Sequence, residues 1–380
     1  MSHRSSFVNS NKINISFFKQ KNERPVSVFP WYNIPMSPSK FDYSRLTNHR
    51  LAEMGDFVRE YNIKYENGIL INQDVYEEIR EDLDAWRYRH IRPTDDIFDA
   101  INELKTKHPE FDYDVAERLK RLPSILGKLY RFPTMKLNQI QDIGGVRIIC
   151  SDIDQLMALL PYLDELFPEY KEKNRLENPA PSGYRGIHRI YKKDGVYIEL
   201  QIRTMLEHVW ATSVESIDVL RGTAMKNGED GAAWTEFFQL LSSFFALSEQ
   251  LPVLEKHEGA SGLELVDELK KLEESDGIIS KIRGYAKTNN IDKELRRSSS
   301  DYYALIERKN DSSTEVTYYL ETEIEKAFAD YENNERGEEK SDKVLVSINN
   351  VERISKIYPN YFVQLDKIAI TLERLLDAAA

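Results

Sequence analysis

The sequence predicts a mixed α/β fold of the α+β kind, in which helices flank a mixed β-sheet. Three observations predict it. Apolar residues recur at helical spacing on both sides of several short strand-like runs. An Asp194-Gly195 pair joins two such runs in the manner of a tight hairpin. The composition shifts after about residue 256, which predicts a second, smaller α/β unit in the C-terminal part.

Helices and strands follow one another along the first two thirds of the chain. The expected elements are helices over 44–61, 74–89 and 95–107, a strand or extended segment over 111–117, a helix after Leu122-Pro123-Ser124, a strand over 146–150, and helices over 152–167, 206–220 and 233–254. We assign residues 41–260 to one domain. Residues 1–40 are polar and rich in proline, which predicts an N-terminal arm.

The hairpin at residues 182–208 carries many polar side chains. In its second strand, period-two alternation places Glu199, Gln201 and Arg203 on one face. The turn folds Tyr184 and His188 of the first strand back beside this polar row. A strand that only filled the core would not present three polar groups in succession on one face, so the hairpin predicts a functional site.

Residues 261–380 form the predicted second domain. The expected elements are a helix over 263–273, a strand over 302–309, an acidic amphipathic helix over 314–335, a strand over 343–348, and helices over 351–358 and 366–378. The order βαβα suits a small two-layer unit. A basic stretch at 281–297 is either a solvated helix face or a guide for nucleic-acid phosphates.

Charge and cysteine content exclude several classes of protein. The net charge of -12 argues against indiscriminate coating of nucleic acid, although it permits a local basic cleft. The single cysteine, Cys150, leaves no disulfide framework and no cysteine-based zinc site within one chain. The sequence shows neither a secretory signal nor an apolar run long enough to span a membrane, so we expect a cytoplasmic protein.

A basic cluster lies upstream of the hairpin. It reads Arg118-x-Lys120-x-x-x-Ser124-x-x-x-Lys128, followed by Arg131, Lys136, Asp142 and Arg147. Cations beside one isolated carboxylate are what a nucleoside triphosphate with Mg²⁺ requires. A solvated helix face is the alternative for such a run. Neither a P-loop nor the protein-kinase motifs occur in the sequence.

Four linked motifs together resemble the RelA/SpoT pyrophosphokinase domain between about Arg118 and Glu215. They are the basic cluster, Asp142-x-Gly-Gly-x-Arg147, Gly183-Tyr-Arg-Gly-x-His188 and Glu199-x-Gln-x-Arg-Thr204, in that order. The resemblance implies a nucleotidyltransferase-like fold. It also implies an enzyme that transfers the β,γ-pyrophosphate of ATP to a ribose 3′-hydroxyl and releases AMP.

The resemblance assigns a role to each residue. Asp142 and Glu199 would be the catalytic pair that binds Mg²⁺, with Glu199 also accepting the hydroxyl proton. ATP would be held by Arg118, Lys120, Ser124, Lys128, Arg131 and Arg147, with the first and last sandwiching adenine. The acceptor would be bound by Tyr184, His188, Gln201 and Arg203. Each residue alone also has a structural interpretation, as a core tyrosine, a cap or a strand histidine.

One departure from the family concerns the acceptor. Guanosine-alarmone synthetases carry a lysine directly after the proline of a Pro-Lys-x-Asn-Gly-Tyr stretch, whereas this sequence has Pro179-Ala180-Pro-Ser-Gly-Tyr184. A free nucleotide diphosphate would lose a charge-assisted bond worth roughly 1.5 to 3 kcal/mol. The 3′ CCA end of tRNA would not lose it. We therefore expect tRNA as the acceptor, as in toxic family members that stop translation.

The C-terminal part resembles a second known arrangement. Tyr358-Pro-Asn-Tyr361 is a Tyr-x-x-Tyr segment attached to a small unit without cysteines. This layout resembles CapRel, the fused toxin-antitoxins of antiphage defence. That resemblance implies a pseudo-zinc-finger domain without zinc, in which both tyrosines block the adenine site until a phage major capsid protein binds. The stacking of a tyrosine on an arginine contributes about 0.5 to 2 kcal/mol.

Three functions remain open on the sequence alone. The first is a self-inhibited toxin that pyrophosphorylates tRNA. The second is a small alarmone synthetase that uses GDP or GTP. The third is a catalytically silent binding protein, against which the presence of both Asp142 and Glu199 argues.

Overall fold

The structure is a computed structural model that describes most of the first two thirds of the chain and parts of the remainder. The described residues are 43–66, 73–120, 122–221, 231–279, 282, 302–308, 314–320, 323, 326–327, 330–331 and 342–348. The predicted N-terminal arm, the two predicted helices nearest the C-terminal end, Tyr358 and Tyr361 lie outside these residues.

Three helices precede the sheet, as the apolar spacing predicted. They are α1 (Asn48–Glu66), α2 (Gln73–Tyr88) and α3 (Ile91–Lys107). Helix α3 begins earlier than expected and accommodates Pro93 in its first turn, where the missing N–H has no partner to lose. Its buried residues include Ile97, Phe98 and Ile101, which pack against the sheet core.

The strands that follow alternate with helices. Strand β1 (Tyr113–Leu119) leads through α4 (Leu122–Arg131) to β2 (Gly144–Cys150), which pairs with β1 in antiparallel register. Helix α5 (Ile153–Leu166) then starts at the predicted position, because the Asp152 side chain accepts a hydrogen bond from the Gln155 N–H and caps it.

The predicted hairpin is present as β4 (Ile187–Lys193) and β5 (Val196–Thr204). Its turn has Asp194 and Gly195 at φ values of 50° and 82°, as a type I′ turn requires. An additional edge strand, β3 (Lys171–Asn174), pairs with β4. The sequence did not predict β3 because its four residues are polar and carry no apolar alternation.

Three helices close one side of the molecule. They are α6 (Met205–Arg221), α7 (Ala232–Ser248) and α8 (Gly262–Asp276). They share a second hydrophobic core in which Trp210, Phe237 and Leu265 are buried. No helix within the described ranges is both long and apolar enough to cross a membrane.

The sheet extends into the C-terminal part of the chain. Its eight strands run in the order β3-β4-β5-β2-β1-β8-β6-β7, with β6 (Tyr302–Arg308), β7 (Thr314–Leu320) and β8 (Asp342–Ile348). Strand β8 pairs with β1 through Arg118 and Val346, and with β6 along its whole length. One sheet therefore crosses the boundary predicted between the two domains.

The helix predicted over 314–335 is wrong in its first part, which forms β7. The segment Thr314–Leu320 contains Thr, Val, Thr, Tyr and Tyr, and β-branched and aromatic side chains favour a pleated strand over a helix. Acidic residues further along the segment gave the misleading amphipathic pattern. In the described part of this unit, two strands in a hairpin therefore replace the predicted βα succession.

Candidate active site

The strand register places the predicted residues on one face of the sheet. Arg118 of β1 lies opposite Gly145 of β2, which lies beside Glu199 of β5. Two residues further along β2, Arg147 lies beside Gln201 of β5, which lies opposite His188 of β4. Because facing residues of paired strands share a face, two predicted groups that are distant in sequence become neighbours.

Asp142 lies in the loop that enters β2 and is held by two lysines. Lys120 Nζ donates to one carboxylate oxygen and Lys128 Nζ donates to the other, each at 2.8 Å. The Lys120 backbone N–H also donates to the carbonyl of Ile143, which fixes the end of β1 against this loop. Burial alone would raise the pKa of the Asp142 carboxyl, but the two lysine charges outweigh it and lower that pKa well below its usual range.

Glu199 lies in the middle of β5 between two hydrogen-bonding side chains. His188 Nδ1 lies 2.7 Å from one carboxylate oxygen, and Gln201 Nε2 donates to the other at 2.7 Å. Burial opposes ionisation of Glu199, but the interactions with His188 and the hydrogen bond from Gln201 together outweigh burial and lower the pKa of Glu199. The nearby charge of Asp142 acts in the opposite direction and raises the Glu199 pKa. The carboxylate is therefore ionised and oriented.

Tyr184, which the sequence predicts to bind the acceptor, lies at one end of this hydrogen-bond network. Its hydroxyl lies 2.5 Å from His188 Nε2 and accepts a hydrogen bond from Arg203 at 2.7 Å. The Arg203 guanidinium also lies over the Tyr184 ring, 5.0 Å from its centroid. One face of the ring is therefore covered by a cation.

Gln201 forms hydrogen bonds with residues from both predicted groups of the site. Its amide oxygen accepts from Arg203 at 3.1 Å and from Arg147 Nε at 3.4 Å, while its amide nitrogen binds Glu199. The amide orientation is thus set by three charged groups on two strands, β2 and β5. This network links a residue predicted to bind ATP to residues predicted to bind the acceptor.

The loop before β4 is shaped by glycine and held from α7. Gly183 has φ +96°, and a Cβ there would come within 2.9 Å of the Ser242 Cβ and 3.1 Å of the Trp210 ring. Ser242 Oγ donates to the Gly183 carbonyl at 2.6 Å and accepts from Arg185 Nε at 3.2 Å. The predicted site did not include Ser242 or Arg185. The available signal was a Ser-Ser pair in an otherwise apolar helix.

Two predicted ATP-binding residues stand apart from the network. Ser124 lies in the first turn of α4, one turn before Lys128, and Arg131 is exposed as the last residue of that helix. Among the described residues neither makes a hydrogen bond or an ion pair with another member of the site. Trp210 is buried and donates its indole N–H to the Phe238 carbonyl at 2.7 Å, so it joins α6 to α7.

The donor set suits Mg²⁺ better than a softer metal. Both carboxylates that the sequence predicts as ligands are ionised, and their hard oxygens are what Mg²⁺ prefers. Within the described ranges no group of three or more His, Cys, Asp and Glu side chains is arranged to hold an ion.

Comparison with known proteins locates a family region in the chain. Residues 117–217 match the family model described as "Region found in RelA / SpoT proteins". The chain is 28% identical over 131 residues to the GTP pyrophosphokinase YjbM of Bacillus subtilis, covering 31% of this chain and 62% of that protein. It is 34% identical over 110 residues to the GTP pyrophosphokinase YwaC of the same organism, covering 25% and 52%.

An uncharacterized protein of Mycobacterium tuberculosis is 32% identical over 120 residues, covering 30% of this chain and 43% of that protein. The chain thus spans about half the length of the curated relatives it matches. Among solved structures it is similar to the small alarmone synthetase 2 of Bacillus subtilis, with a TM-score of 0.39 and 23% identity, covering 44% of this chain and 95% of that chain. The RelA/SpoT resemblance of the motifs is confirmed by the family match.

Proposed function

We propose that this chain, which carries the RelA/SpoT region at residues 117–217, is an ATP pyrophosphokinase that acts on a ribose 3′-hydroxyl. The observation that carries the proposal is the ionised Glu199, fixed between His188 and Gln201 on the sheet face that also presents Arg118 and Arg147. A base and a row of cations are what this transfer needs, because phosphoryl chemistry depends on positioning and charge neutralisation.

The reaction moves two phosphates as one group. The acceptor 3′-hydroxyl oxygen bonds to the β-phosphorus of ATP, the bond from that phosphorus to the α,β-bridging oxygen breaks, and AMP leaves. The hydroxyl proton passes to Glu199. Lys120 and Lys128, which bind Asp142 in this structure, offer their charges to the phosphates. Arg118 and Arg147 offer planar guanidinium groups to the adenine.

Mg²⁺ would be held by Asp142 and Glu199 and would neutralise charge on the phosphates. The protein residues then have separate tasks. His188 and Gln201 hold the Glu199 carboxylate in one orientation, and Tyr184 would offer its ring to the acceptor base. Stacking of a base on an aromatic ring contributes about 1 to 3 kcal/mol, which orders the acceptor without close reading of its identity.

The acceptor in this proposal is the 3′ CCA end of tRNA, so that the product blocks translation and the chain acts as a toxin. Ala180 supports it, since its methyl side chain offers no charge to a free 5′-diphosphate. The runner-up acceptor is GDP or GTP. The names of the relatives YjbM and YwaC, both GTP pyrophosphokinases, favour that alternative.

Regulation forms a further part of the proposal. Tyr358 and Tyr361 of the Tyr-x-x-Tyr segment would occupy the adenine site and silence the enzyme until a phage major capsid protein binds the C-terminal unit. The support is the sequence layout alone. Substitution of either tyrosine by alanine should raise the basal rate of transfer if this gate exists.

The test is transfer from γ-labelled ATP to tRNA, GDP and GTP in parallel reactions. It uses the full chain and the variant Tyr358→Ala/Tyr361→Ala, with Glu199→Gln as the inactive control. Label in tRNA supports the proposed acceptor, and label only in a guanine nucleotide selects the alarmone synthetase. No label in any acceptor from either active form would refute the enzyme and favour a binding protein.

A further inference from the structure

The edge strand β3 brings two lysines onto the face of the active site. Its register with β4 places Lys173 opposite His188 and Lys171 opposite Ile190. Ile190 lies opposite Glu199 of β5, and His188 lies opposite Gln201. Lys171 is therefore in register with Glu199, and Lys173 with Gln201, on the far side of β4 from β5. Two strand spacings of about 4.8 Å put each lysine backbone roughly 10 Å from the corresponding β5 residue.

The orientation of β3 is fixed from the opposite face. Glu172, between the two lysines, accepts a hydrogen bond at 2.9 Å from Arg189, whose side chain is 97% buried and which also pairs with Asp164. Alternation along the strand then requires both lysines to project on the side of the site. A slip of one residue would place a lysine opposite Arg189 in the position of Glu172, and the like charges disfavour that register.

Both lysines are exposed and available for a ligand. Among the described residues neither makes a hydrogen bond or an ion pair, whereas Lys120 and Lys128 in the ATP half are bound to Asp142. Side chains two residues apart on a strand are separated by roughly 7 Å. That separation suits successive phosphates along a nucleic-acid backbone better than the adjoining phosphates of one diphosphate.

We propose that Lys171 and Lys173 bind the acceptor's phosphates on the 5′ side of its reacting ribose. The inference rests on the proposed function for the direction of the acceptor. ATP occupies the side of β1 and β2 in that proposal, so the acceptor chain leaves the site across β4 and β3. The phosphates come from the backbone of an RNA end or from the 5′-diphosphate of a free nucleotide, and the two sources give different results below.

The experiment compares the full chain with its variant Lys171→Ala/Lys173→Ala. Binding of a fluorescent RNA that ends in single-stranded CCA, and of fluorescent GDP, is measured by anisotropy across a salt series. The KM for each acceptor and for ATP is measured where transfer occurs. Lys107→Ala is the matched control, because Lys107 is an exposed lysine at the end of α3.

We expect the RNA dissociation constant of the double variant to rise at least about tenfold, as for the loss of a charge-assisted bond. The slope of log affinity against log salt should fall by roughly 0.7 for each lost contact. The KM for ATP should not change in the double variant. The dissociation constants and KM values of Lys107→Ala should equal those of the wild type. A rise in the dissociation constant for GDP but not for RNA also supports the phosphate site and assigns it to a free nucleotide.

Unchanged binding of both probes overturns the inference. So does a loss of affinity no larger than that of Lys107→Ala. A fall in kcat without a rise in the acceptor KM overturns it as well. The two proposals fail separately. If neither the wild-type chain nor its variant Tyr358→Ala/Tyr361→Ala transfers label to any acceptor, the proposed function fails, while the binding series still decides whether the lysines hold phosphate.

Discussion

His188 Nδ1 lies 2.7 Å from a carboxylate oxygen of Glu199, and its other ring nitrogen lies 2.5 Å from the Tyr184 hydroxyl. Both ring nitrogens of His188 therefore have a partner, Glu199 at Nδ1 and Tyr184 at Nε2. The histidine therefore both orients the proposed base and connects it to Tyr184, the ring proposed to stack on the acceptor.

The first prediction concerns the pH dependence that this contact sets. The hydrogen bond from His188 lowers the pKa of Glu199 against the effect of burial. In His188→Ala burial acts without that opposition, so the Glu199 pKa should rise and the acidic limb of kcat/KM should move to higher pH. His49→Ala, at an exposed position of α1, should keep the wild-type profile. An unshifted acidic limb in His188→Ala would mean that Glu199 is not the titrating base.

Asp142→Asn should separate ATP binding from catalysis. The substitution removes the negative charge that holds Lys120 and Lys128, leaving both cations available to phosphates. We expect transfer to be lost and unfolding to become easier by about 1 to 3 kcal/mol, since two charge-assisted bonds are weakened. Binding of ATP without Mg²⁺, measured by calorimetry, should be retained or tightened. Weaker metal-free binding would show that the carboxylate orders these lysines and does not compete for them.

Much of this site follows from the sequence because strand alternation and turn chemistry are local. The polar face of β5 and the turn at Asp194-Gly195 were predicted from spacing, and both are present. Parallel pairing of β2 with β5 was not predictable in the same way, because it joins segments separated by a helix and two strands. Nor was the position of Lys173, since β3 has no apolar residue to mark its buried face.

The same distinction explains what was missed in the C-terminal part. A helical pattern was inferred for 314–335 from acidic spacing, yet Thr314–Leu320 pairs with β6. Pairing with an existing strand outweighs weak periodicity, and a single sequence does not show that partner. The contact of β8 with β1 is likewise a long-range pairing.

The loop held by α7 gives a prediction about the acceptor alone. Ser242→Ala removes the donor to the Gly183 carbonyl and the acceptor for Arg185, so Tyr184 should lose its fixed position. The acceptor KM should rise about tenfold, as for loss of roughly 1 to 1.5 kcal/mol, with the KM for ATP unchanged. Ser248→Ala, on the exposed end of the same helix, is the control. Equal changes in both KM values would indicate general loosening of the fold.

Glu207 makes stability depend on pH in the direction opposite to most carboxylates. Burial raises its pKa to about 8, although the hydrogen bond from the Thr204 N–H acts against burial. The folded state therefore holds a proton that the unfolded state releases, and this contribution to stability is lost as pH rises from about 4.5 to about 8.

Glu207→Gln keeps an oxygen for the Thr204 N–H and removes the titration. Its free energy of unfolding, from urea denaturation at pH 5 and pH 8.5, should vary less with pH than that of the wild type. The difference should be on the order of a few kcal/mol. Glu177→Gln, at an exposed loop position, should follow the wild type. Parallel curves for Glu207→Gln and the wild type would show that Glu207 is ionised in the folded state.

The last prediction concerns a contact that links the C-terminal unit to Lys120, one of the residues proposed to bind ATP. The buried Tyr331 ring lies 4.8 Å from the Arg87 guanidinium, and Arg87 Nε donates to the Lys120 carbonyl at 2.9 Å. Tyr331→Leu keeps apolar volume but removes the aromatic face from the cation. Arg87 should then hold the Lys120 backbone less firmly, so the KM for ATP should rise severalfold while the acceptor KM stays constant. This direction is opposite to the one expected for Tyr358→Ala, which should raise basal transfer. If Tyr331→Leu also raised basal transfer, the contact would belong to the proposed gate and not to the support of the ATP site.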